Sequence, residues 1–152
     1  MRVHASCVAF EGWGVLLRGP SGSGKSDLAL RAVEAGARLV ADDLVVLERR
    51  GEQVWARALP QAGGRLEARG IGIVRLAALE GAPLILIADL APLDRLAERL
   101  PVPCFEPMLG LAVRRIRLAP FEISAAIKLR LAAHTASEDK DATRASGKDD
   151  SW

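Results

Sequence analysis

The sequence predicts an α/β fold: a single P-loop domain in which a mixed β-sheet and flanking helices carry a glycine-rich loop at a strand–helix junction. Its 152 residues are 50% hydrophobic, which is enough to bury one core. Short apolar runs separated by turn residues predict strands, and one run is followed by a glycine-rich loop and an amphipathic helix. From residue 135 the chain is polar, so we expect a domain over residues 1–134 and a disordered tail over residues 135–152.

The first half of the chain predicts a hairpin, a helix and a second strand pair. The hairpin turns at Glu11-Gly12, and the helix stops at Gly36. Asp42-Asp43 interrupts the next strand material, which pairs with a following run across a turn at residues 50–52. The predicted strands cover residues 3–10, 15–17, 38–41, 44–48 and 53–58, the helix covers residues 25–35, and a loop covers residues 60–65.

The second half predicts two strands and two helices. Residues 67–74 mix two charges and two glycines with β-branched residues, which suits a backbone that approaches another group closely. A buried apolar run predicts a strand at residues 83–88, and an alternating pattern predicts another at residues 111–118. A short helix is predicted at residues 93–100, and a proline opens the helix predicted over residues 120–133.

Composition excludes several classes of protein. A formal net charge of +2 and an aromatic content of 4% give no footprint for nucleic acid. The longest apolar runs, such as residues 84–88, are too short to cross a membrane, and no apolar signal segment opens the chain. Cys7 and Cys104 cannot form a disulfide framework, and with only His4 and His134 they predict no zinc site. We therefore expect a cytoplasmic protein.

The glycine-rich loop is the strongest functional signal. It fits the pattern G-x-x-x-x-G-K-[ST], whose backbone N–H groups and helix N-terminus hold phosphate oxygens. In this pattern the lysine reaches the β- and γ-phosphates and the serine hydroxyl binds Mg²⁺. The predicted nucleotide-binding residues are Gly19, Pro20, Ser21, Gly22, Ser23, Gly24, Lys25 and Ser26.

The type of nucleotide-binding protein follows partly by elimination. A GTPase needs an Asn-Lys-x-Asp guanine reader, and the chain contains no asparagine. Motors and large ATPases normally need a longer chain for their transducing elements. A small kinase or phosphotransferase is the economical interpretation.

Two acidic positions follow apolar runs and could serve the phosphate site. Asp89 ends a buried run, where a carboxylate can bind metal but can equally cap the turn at Pro92. Asp42 and Asp43 are adjacent, so in a strand one carboxylate could face the phosphates while the other orients a neighbour. Such a pair suits phosphoryl transfer, although an acidic turn between strands is the plainer alternative. The pattern alone does not choose between the two positions.

These residues resemble the catalytic domain of HPr kinase/phosphorylase, a bacterial enzyme that phosphorylates a serine of the phosphocarrier protein HPr. Residues 19–43 are similar to the family pattern without gaps, including Val-Ala-Asp-Asp at residues 40–43. The family signature Leu-Glu-x-Arg-Gly-x-Gly-Ile matches residues 66–73, and the resemblance extends from residue 4 to about residue 118. It implies ATP and Mg²⁺ as cofactors, HPr or an HPr-like paralogue as partner, and a homo-oligomer, by resemblance a hexamer.

The resemblance also implies roles for individual residues. Asp43 matches the general base for serine phosphorylation, and His4 matches a histidine that assists it. Lys25 matches the phosphate-contacting lysine, and Arg95 matches a catalytic arginine. The metal ligands implied are Ser26 and Glu67, with Asp42 and Arg69 in supporting positions and Asp89 outside the catalytic set; Arg69 could equally just neutralise Glu67.

The chain departs from the family pattern at two places, and each departure predicts a difference from the family. The chain begins three residues before His4, so we expect the family's N-terminal domain to be missing. The family's arginine-containing loop, associated with dephosphorylation, corresponds to residues 102–110, which contain no arginine. Losing cations that bind inorganic phosphate predicts strong kinase activity with weak or absent phosphorolysis.

Two other functions remain open at this point. A P-loop kinase for a small metabolite would use the same phosphate loop on a different acceptor. A nucleotide-sensing module would couple ATP occupancy to a partner and transfer nothing. A test for acid-stable phosphoserine on a phosphocarrier distinguishes both from a protein kinase.

Overall fold

The computed structural model describes residues 1–96 and 102–149 and contains, within them, eleven strands and two α-helices. Short 3₁₀ turns lie at Pro60–Ala62 and Leu93–Arg95. The strands are β1 (Arg2–Val3), β2 (Ser6–Phe10), β3 (Trp13–Arg18), β4 (Arg38–Ala41), β5 (Val45–Arg50), β6 (Gln53–Arg57), β7 (Arg65–Ala68), β8 (Gly72–Arg75), β9 (Gly81–Leu90), β10 (Cys104–Met108) and β11 (Leu111–Leu118). The helices are α1 (Lys25–Glu34) and α2 (Ala125–Asp149).

Nine of the strands form one mixed sheet, as the sequence predicts. The main path runs β1-β5-β6-β9-β3-β2-β4, and β11 with its hairpin partner β10 joins alongside β9. The strands β3, β9 and β11 are parallel to one another, whereas β2, β4, β5 and β6 pair in antiparallel fashion. The carboxyl ends of the three parallel strands therefore meet at one edge of the sheet.

Alternation along the central strands builds a core on each face of the sheet. Leu17 and Leu86 pack on the face covered by the helices, together with Leu28 of α1 and Leu129 of α2. Leu16 packs on the opposite face within a second cluster. Because each strand is buried on both faces, its sequence is a continuous apolar run.

Most predicted strands are confirmed, with small shifts at their ends. The hairpin at Glu11-Gly12 joins β2 to β3, and β5 pairs with β6 as expected. Residues 67–74, whose role the pattern left open, form part of a separate two-stranded hairpin of β7 and β8. None of the helices among the described residues is long and apolar enough to cross a membrane.

The second helix differs from its prediction at both ends. Residues 120–124 form turns rather than helix, and α2 continues to Asp149 through residues expected to be a disordered tail. Ala133 and Ala136 are buried against the core, which extends the apolar stripe past residue 135. The Arg114–Asp139 ion pair of 3.0 Å also holds this part of the helix to β11. Helical structure over residues 135–149 is thus a correction, whereas the domain boundary at residue 134 stays a prediction.

The segment after β9 holds two further differences. Residues 102–110, expected as a loop, contain β10 and a turn at Leu109-Gly110 that leads into β11. The proline at position 107 did not exclude a strand, because β10 pairs through β11 alone. Of the helix predicted over residues 93–100, the structure describes only a 3₁₀ turn at Leu93–Arg95 and residue 96; residues 97–100 lie outside the described residues.

Candidate functional site

The glycine-rich loop connects β3 to α1 at the carboxyl edge of the parallel strands. Gly22 and Gly24 adopt φ angles of 80° and 99°, which residues with a Cβ rarely adopt. Gly24 caps α1, and its carbonyl accepts the first helical hydrogen bond from Leu28 N at 2.9 Å. The backbone therefore turns sharply, and the N-terminal N–H groups of α1 face the loop.

The donors of this loop suit a polyphosphate. Lys25 Nζ donates to the carbonyl oxygens of Gly19 at 2.7 Å and Pro20 at 3.1 Å, so its charge lies over the loop. Ser23 Oγ is buried and has no hydrogen-bond partner among the described residues. An ammonium, an unpartnered hydroxyl and a helix N-terminus together form an anion site. The loop residues thus fit the phosphates of a nucleotide.

The loop also faces a carboxylate that follows β4. Ser26 Oγ, in the first turn of α1, donates to Asp42 Oδ1 at 2.7 Å. The same carboxylate oxygen accepts a second bond of 2.8 Å from Ser6 Oγ on β2. A carboxylate beside a serine hydroxyl supplies the oxygen ligands that Mg²⁺ prefers. These oxygen atoms fit a magnesium ion held by Ser26 and Asp42. The sequence analysis gave Asp42 only a supporting position, whereas its contact with Ser26 makes it a candidate metal ligand.

Asp43 occupies an unusual turn directly after Asp42. Its φ angle is 68°, and Leu44 N donates to the carbonyl oxygen of Asp42 at 2.8 Å across it, which closes a three-residue turn. Asp43 N lies 3.5 Å from Ser6 Oγ, so one serine contacts both acidic residues. Aspartate is among the few non-glycine residues that tolerate this conformation. The turn leaves the Asp43 side chain exposed while Asp42 is half-buried.

The remaining predicted site residues make no described contact with the acidic pair. His4 is exposed between β1 and β2, and Glu67 and Arg69 are exposed on the β7–β8 hairpin. Among the described residues, no hydrogen bond or ion pair joins these three to Asp42 or Asp43. Arg95 ends a 3₁₀ turn, and its side chain lies outside the described part of the chain. Their roles stay predictions.

Ser6 is the residue that the sequence analysis missed. Its side chain is fully buried, although it lies in a strand whose other residues are all apolar. A buried hydroxyl needs a hydrogen-bond partner, so a lone serine in an apolar run was the available signal. What the sequence could not indicate is that the partners come from a segment 36 residues further along the chain.

Asp89, the alternative acidic candidate, is part of a four-charge cluster on the sheet face opposite the helices. Arg18, directly before the phosphate loop, donates to Asp89 at 2.8 and 3.1 Å and to Glu106 at 2.6 and 2.7 Å. Arg115 lies 3.1 Å from Asp89 and 3.5 Å from Glu106. The carboxylate of Asp89 is therefore engaged by two guanidinium groups, which fixes the end of β3 where the loop begins.

The cluster changes the acid–base properties of its members. The hydrogen bonds from Arg18 hold the pKa of the Glu106 carboxyl below its usual range, and burial opposes this only in part. The hydrogen bonds that Arg18 donates, to Glu106 first and to Asp89 second, raise the pKa of its guanidinium. Arg18 and Glu106 are therefore both charged at neutral pH.

Acid is expected to remove the stabilisation that Glu106 provides. Because the pKa of Glu106 is lower in the folded chain, its contribution is present above the unfolded value of about 4.3 and is lost as pH falls through the folded value. Glu106→Gln should lower the free energy of unfolding by about 1 kcal/mol at neutral pH, as for a partly exposed bidentate pair. It should also flatten the dependence of stability on pH below about 5. Urea unfolding at several pH values measures both effects.

The control for this prediction is Glu52→Gln in the β5–β6 turn, where the carboxylate side chain is 88% exposed. This variant should follow the wild-type pH dependence. An equal loss of stability in both variants, or an unchanged slope in Glu106→Gln, would contradict the role of the cluster.

Comparison with known proteins shows the family of this chain. The family described as HPr Serine kinase C-terminal domain matches residues 1–89, which include the phosphate loop, Ser6 and both acidic residues. The chain belongs to this family. The resemblance inferred from the motifs is thereby confirmed, and so is the mixed α/β fold.

One individual relative matches a longer part of the chain than the family model does. An HPr kinase/phosphorylase of Leptothrix cholodnii is 41% identical over 128 residues, covering 76% of this chain and 39% of that protein. An HPr kinase/phosphorylase of Chlorobium phaeobacteroides (strain BS1) is 48% identical over 79 residues, covering 51% of this chain and 23% of that protein. The chain thus spans about two fifths or less of the length of these relatives.

A solved structure matches the architecture. The structure of the Hpr(Ser) kinase/phosphatase from Coxiella burnetii superposes with a TM-score of 0.80, covering 91% of this chain and 99% of that chain. At 24% sequence identity this likeness shows the fold.

Proposed function

We propose that this domain is an ATP-dependent serine protein kinase that phosphorylates the phosphocarrier protein HPr or an HPr-like paralogue. The observation that carries the proposal is the Ser26–Asp42 hydrogen bond of 2.7 Å at the mouth of the phosphate loop, with the exposed Asp43 adjacent to it. A phosphate site, an oxygen pair for metal and an accessible carboxylate are the parts that phosphoryl transfer to a hydroxyl requires. Family membership supplies HPr as the expected acceptor.

In the proposed mechanism, residues of this chain bind the nucleotide phosphates, orient the transferring group and accept a proton from the substrate serine. The loop amides and Lys25 hold the β- and γ-phosphates, and Ser26 with Asp42 would hold Mg²⁺, which neutralises charge on the transferring group. Asp43 accepts the proton of the incoming serine hydroxyl while the serine oxygen forms its bond to the γ-phosphorus. The bond between the γ-phosphorus and the bridging oxygen breaks, and ADP leaves with that oxygen.

The charge balance near the loop supports a strong preference for the kinase direction. Phosphorolysis, as the family resemblance implies it, requires inorganic phosphate to attack phosphoserine and yield pyrophosphate. Segment 102–110 contains no arginine, and its Glu106 neutralises Arg18 in the four-charge cluster. With two cations already paired to two carboxylates, the cluster offers no net positive charge to phosphate.

A two-direction assay tests the proposal. The purified chain with ATP, Mg²⁺ and HPr should form acid-stable phosphoserine, while serine-phosphorylated HPr with inorganic phosphate should release pyrophosphate at least about tenfold more slowly. Lys25→Ala should lose the forward reaction because its ammonium no longer reaches the phosphates. Absence of phosphoserine on any phosphocarrier would favour a nucleotide-binding module. Brisk pyrophosphate release would contradict the reduced phosphorolysis.

Assembly and location remain proposals as well. We propose a cytoplasmic homo-oligomer, with a hexamer implied by the family alone. Sedimentation of the purified chain measures the oligomeric state directly.

A further inference from the structure

We propose that an apolar groove beside the phosphate loop binds the base of the nucleotide, with Phe121 as its stacking surface; this inference rests on the proposed function. The groove lies between residues 91–93 and residues 119–123 and has a volume of about 430 Å³. Its size is in the range of small-molecule sites, which are mostly apolar. The three side chains that matter most are Leu93, Phe121 and Ile123, which are 60%, 70% and 103% exposed.

The position of the groove in the sheet favours this role. It is formed by the segments that follow β9 and β11, which run parallel to β3 and end at the same edge. Ligands of parallel α/β sheets bind in the crevice outside the carboxyl ends of the strands. Asp42 follows β4 on the opposite side of β3, so the acidic residues and the groove lie on either side of the phosphate loop.

The groove is continuous with the loop itself. A Cβ placed on Gly24 would lie only 2.9 Å from Phe121 Cζ, so the ring rests directly on the loop backbone. Gly24, the cap before α1, contacts Phe121, whereas Ser26 in the first turn of the helix contacts Asp42. Phe121 and Asp42 follow strands on opposite sides of β3, so the two contacts flank the helix N-terminus. A nucleotide with its γ-phosphate near Ser26 would extend its base toward Phe121.

The segment that carries Phe121 is held in place although the ring is exposed. Arg31 of α1 donates to the carbonyl oxygen of Pro120 and, at 3.4 Å, to that of Glu122. The same guanidinium pairs with Asp27 at 2.9 Å. The helix that begins at the phosphate loop thus also fixes the backbone on both sides of Phe121. Because this backbone is already fixed, less conformational entropy is lost when a base stacks on the ring.

The lining indicates how the base is recognised. Among the described residues that line the groove, Glu122 alone is charged, and it pairs with Lys128 at 3.2 Å, so it faces a cation rather than the base. Stacking on an aromatic face with apolar neighbours is tolerant of base identity, because every base presents a π-face. We therefore expect the groove to contribute affinity for purine nucleotides while it discriminates weakly between adenine and guanine.

The test compares a nucleotide with its phosphates alone. Isothermal titration of the full chain in Mg²⁺ should give Phe121→Ala an ADP affinity about tenfold weaker than wild type, with tripolyphosphate affinity unchanged. Phe121→Trp retains a stacking face and should bind ADP as wild type does, whereas Phe121→Leu should behave like alanine. Phe105→Ala is the matched control, because Phe105 is also exposed, at 57%, but lies on β10 away from the groove.

The other outcomes separate this inference from the proposed function. Equal weakening of ADP and tripolyphosphate in Phe121→Ala would mean that the ring only supports the loop, which overturns the base contact. A higher KM for HPr with unchanged ADP affinity would make the groove a protein-docking surface and overturn it too. Wild-type ADP affinity in every Phe121 variant of an active kinase would remove this inference alone. Wild-type protein that binds neither ADP nor tripolyphosphate would remove the proposed function with it.

Discussion

Replacement of Asp43 by asparagine is expected to lower the rate of phosphotransfer to HPr by about 10²- to 10⁴-fold, the usual contribution of a general base. A serine hydroxyl is a weak nucleophile at its free pKa, and the amide of asparagine cannot accept its proton. Asparagine is the informative substitution because Asp43 has a φ angle of 68°, which asparagine adopts at a lower energetic cost than alanine does. The turn should therefore persist while the base is lost.

Single-turnover phosphorylation of HPr, measured beside ADP affinity, checks this prediction. Nucleotide affinity should stay within about twofold of wild type, because Asp43 is exposed and outside the phosphate loop. Asp141→Asn on α2 is a matched control, since Asp141 is also exposed. Near-normal transfer by Asp43→Asn would eliminate this residue as the base.

The fold could be predicted to a large extent because its signals are local. The β2–β3 hairpin is marked by the turn at Glu11-Gly12, and α1 by glycines before and after it. The continuation of α2 past residue 135 could not be predicted in this way. It depends on the burial of Ala136 against the core and on the ion pair between Arg114 and Asp139, two residues that are 25 positions apart.

The candidate site was predictable in its phosphate loop but less so in its acidic half. The loop is a contiguous motif, so its eight residues reveal it without tertiary information. Asp89 and Asp42 both follow apolar runs, and only the neighbouring strands distinguish them: Asp89 meets Arg18 and Arg115, whereas Asp42 meets two serine hydroxyls. Long-range pairing of this kind leaves no trace in a local sequence pattern.

Asp42 is expected to control the magnesium requirement of the reaction. Its Oδ1 accepts hydrogen bonds from both Ser26 and Ser6, so its negative charge is fixed beside the hydroxyl that would bind the metal. Asp42→Asn keeps a hydrogen-bond acceptor but removes that charge. The Mg²⁺ concentration for half-maximal phosphotransfer should rise about tenfold or more, and the rate at saturating Mg²⁺ should fall by about 10².

Ser6→Ala is expected to have a smaller effect on the same site than Asp42→Asn. It leaves the charge of Asp42 intact but removes one of its two hydrogen bonds and the contact with Asp43 N, so the turn loses its anchor on β2. Groups that hydrogen-bond to metal ligands typically contribute 10- to 100-fold, and we expect about tenfold here, seen as a lower rate with a smaller change in Mg²⁺ requirement. Ser137→Ala is the control, because that serine is also buried but donates its hydrogen bond within α2, to the carbonyl oxygen of His134. Equal effects of Ser6→Ala and Ser137→Ala would mean that the Ser6 contact contributes only ordinary packing. An unchanged Mg²⁺ requirement in Asp42→Asn would mean that the metal does not bind at this carboxylate.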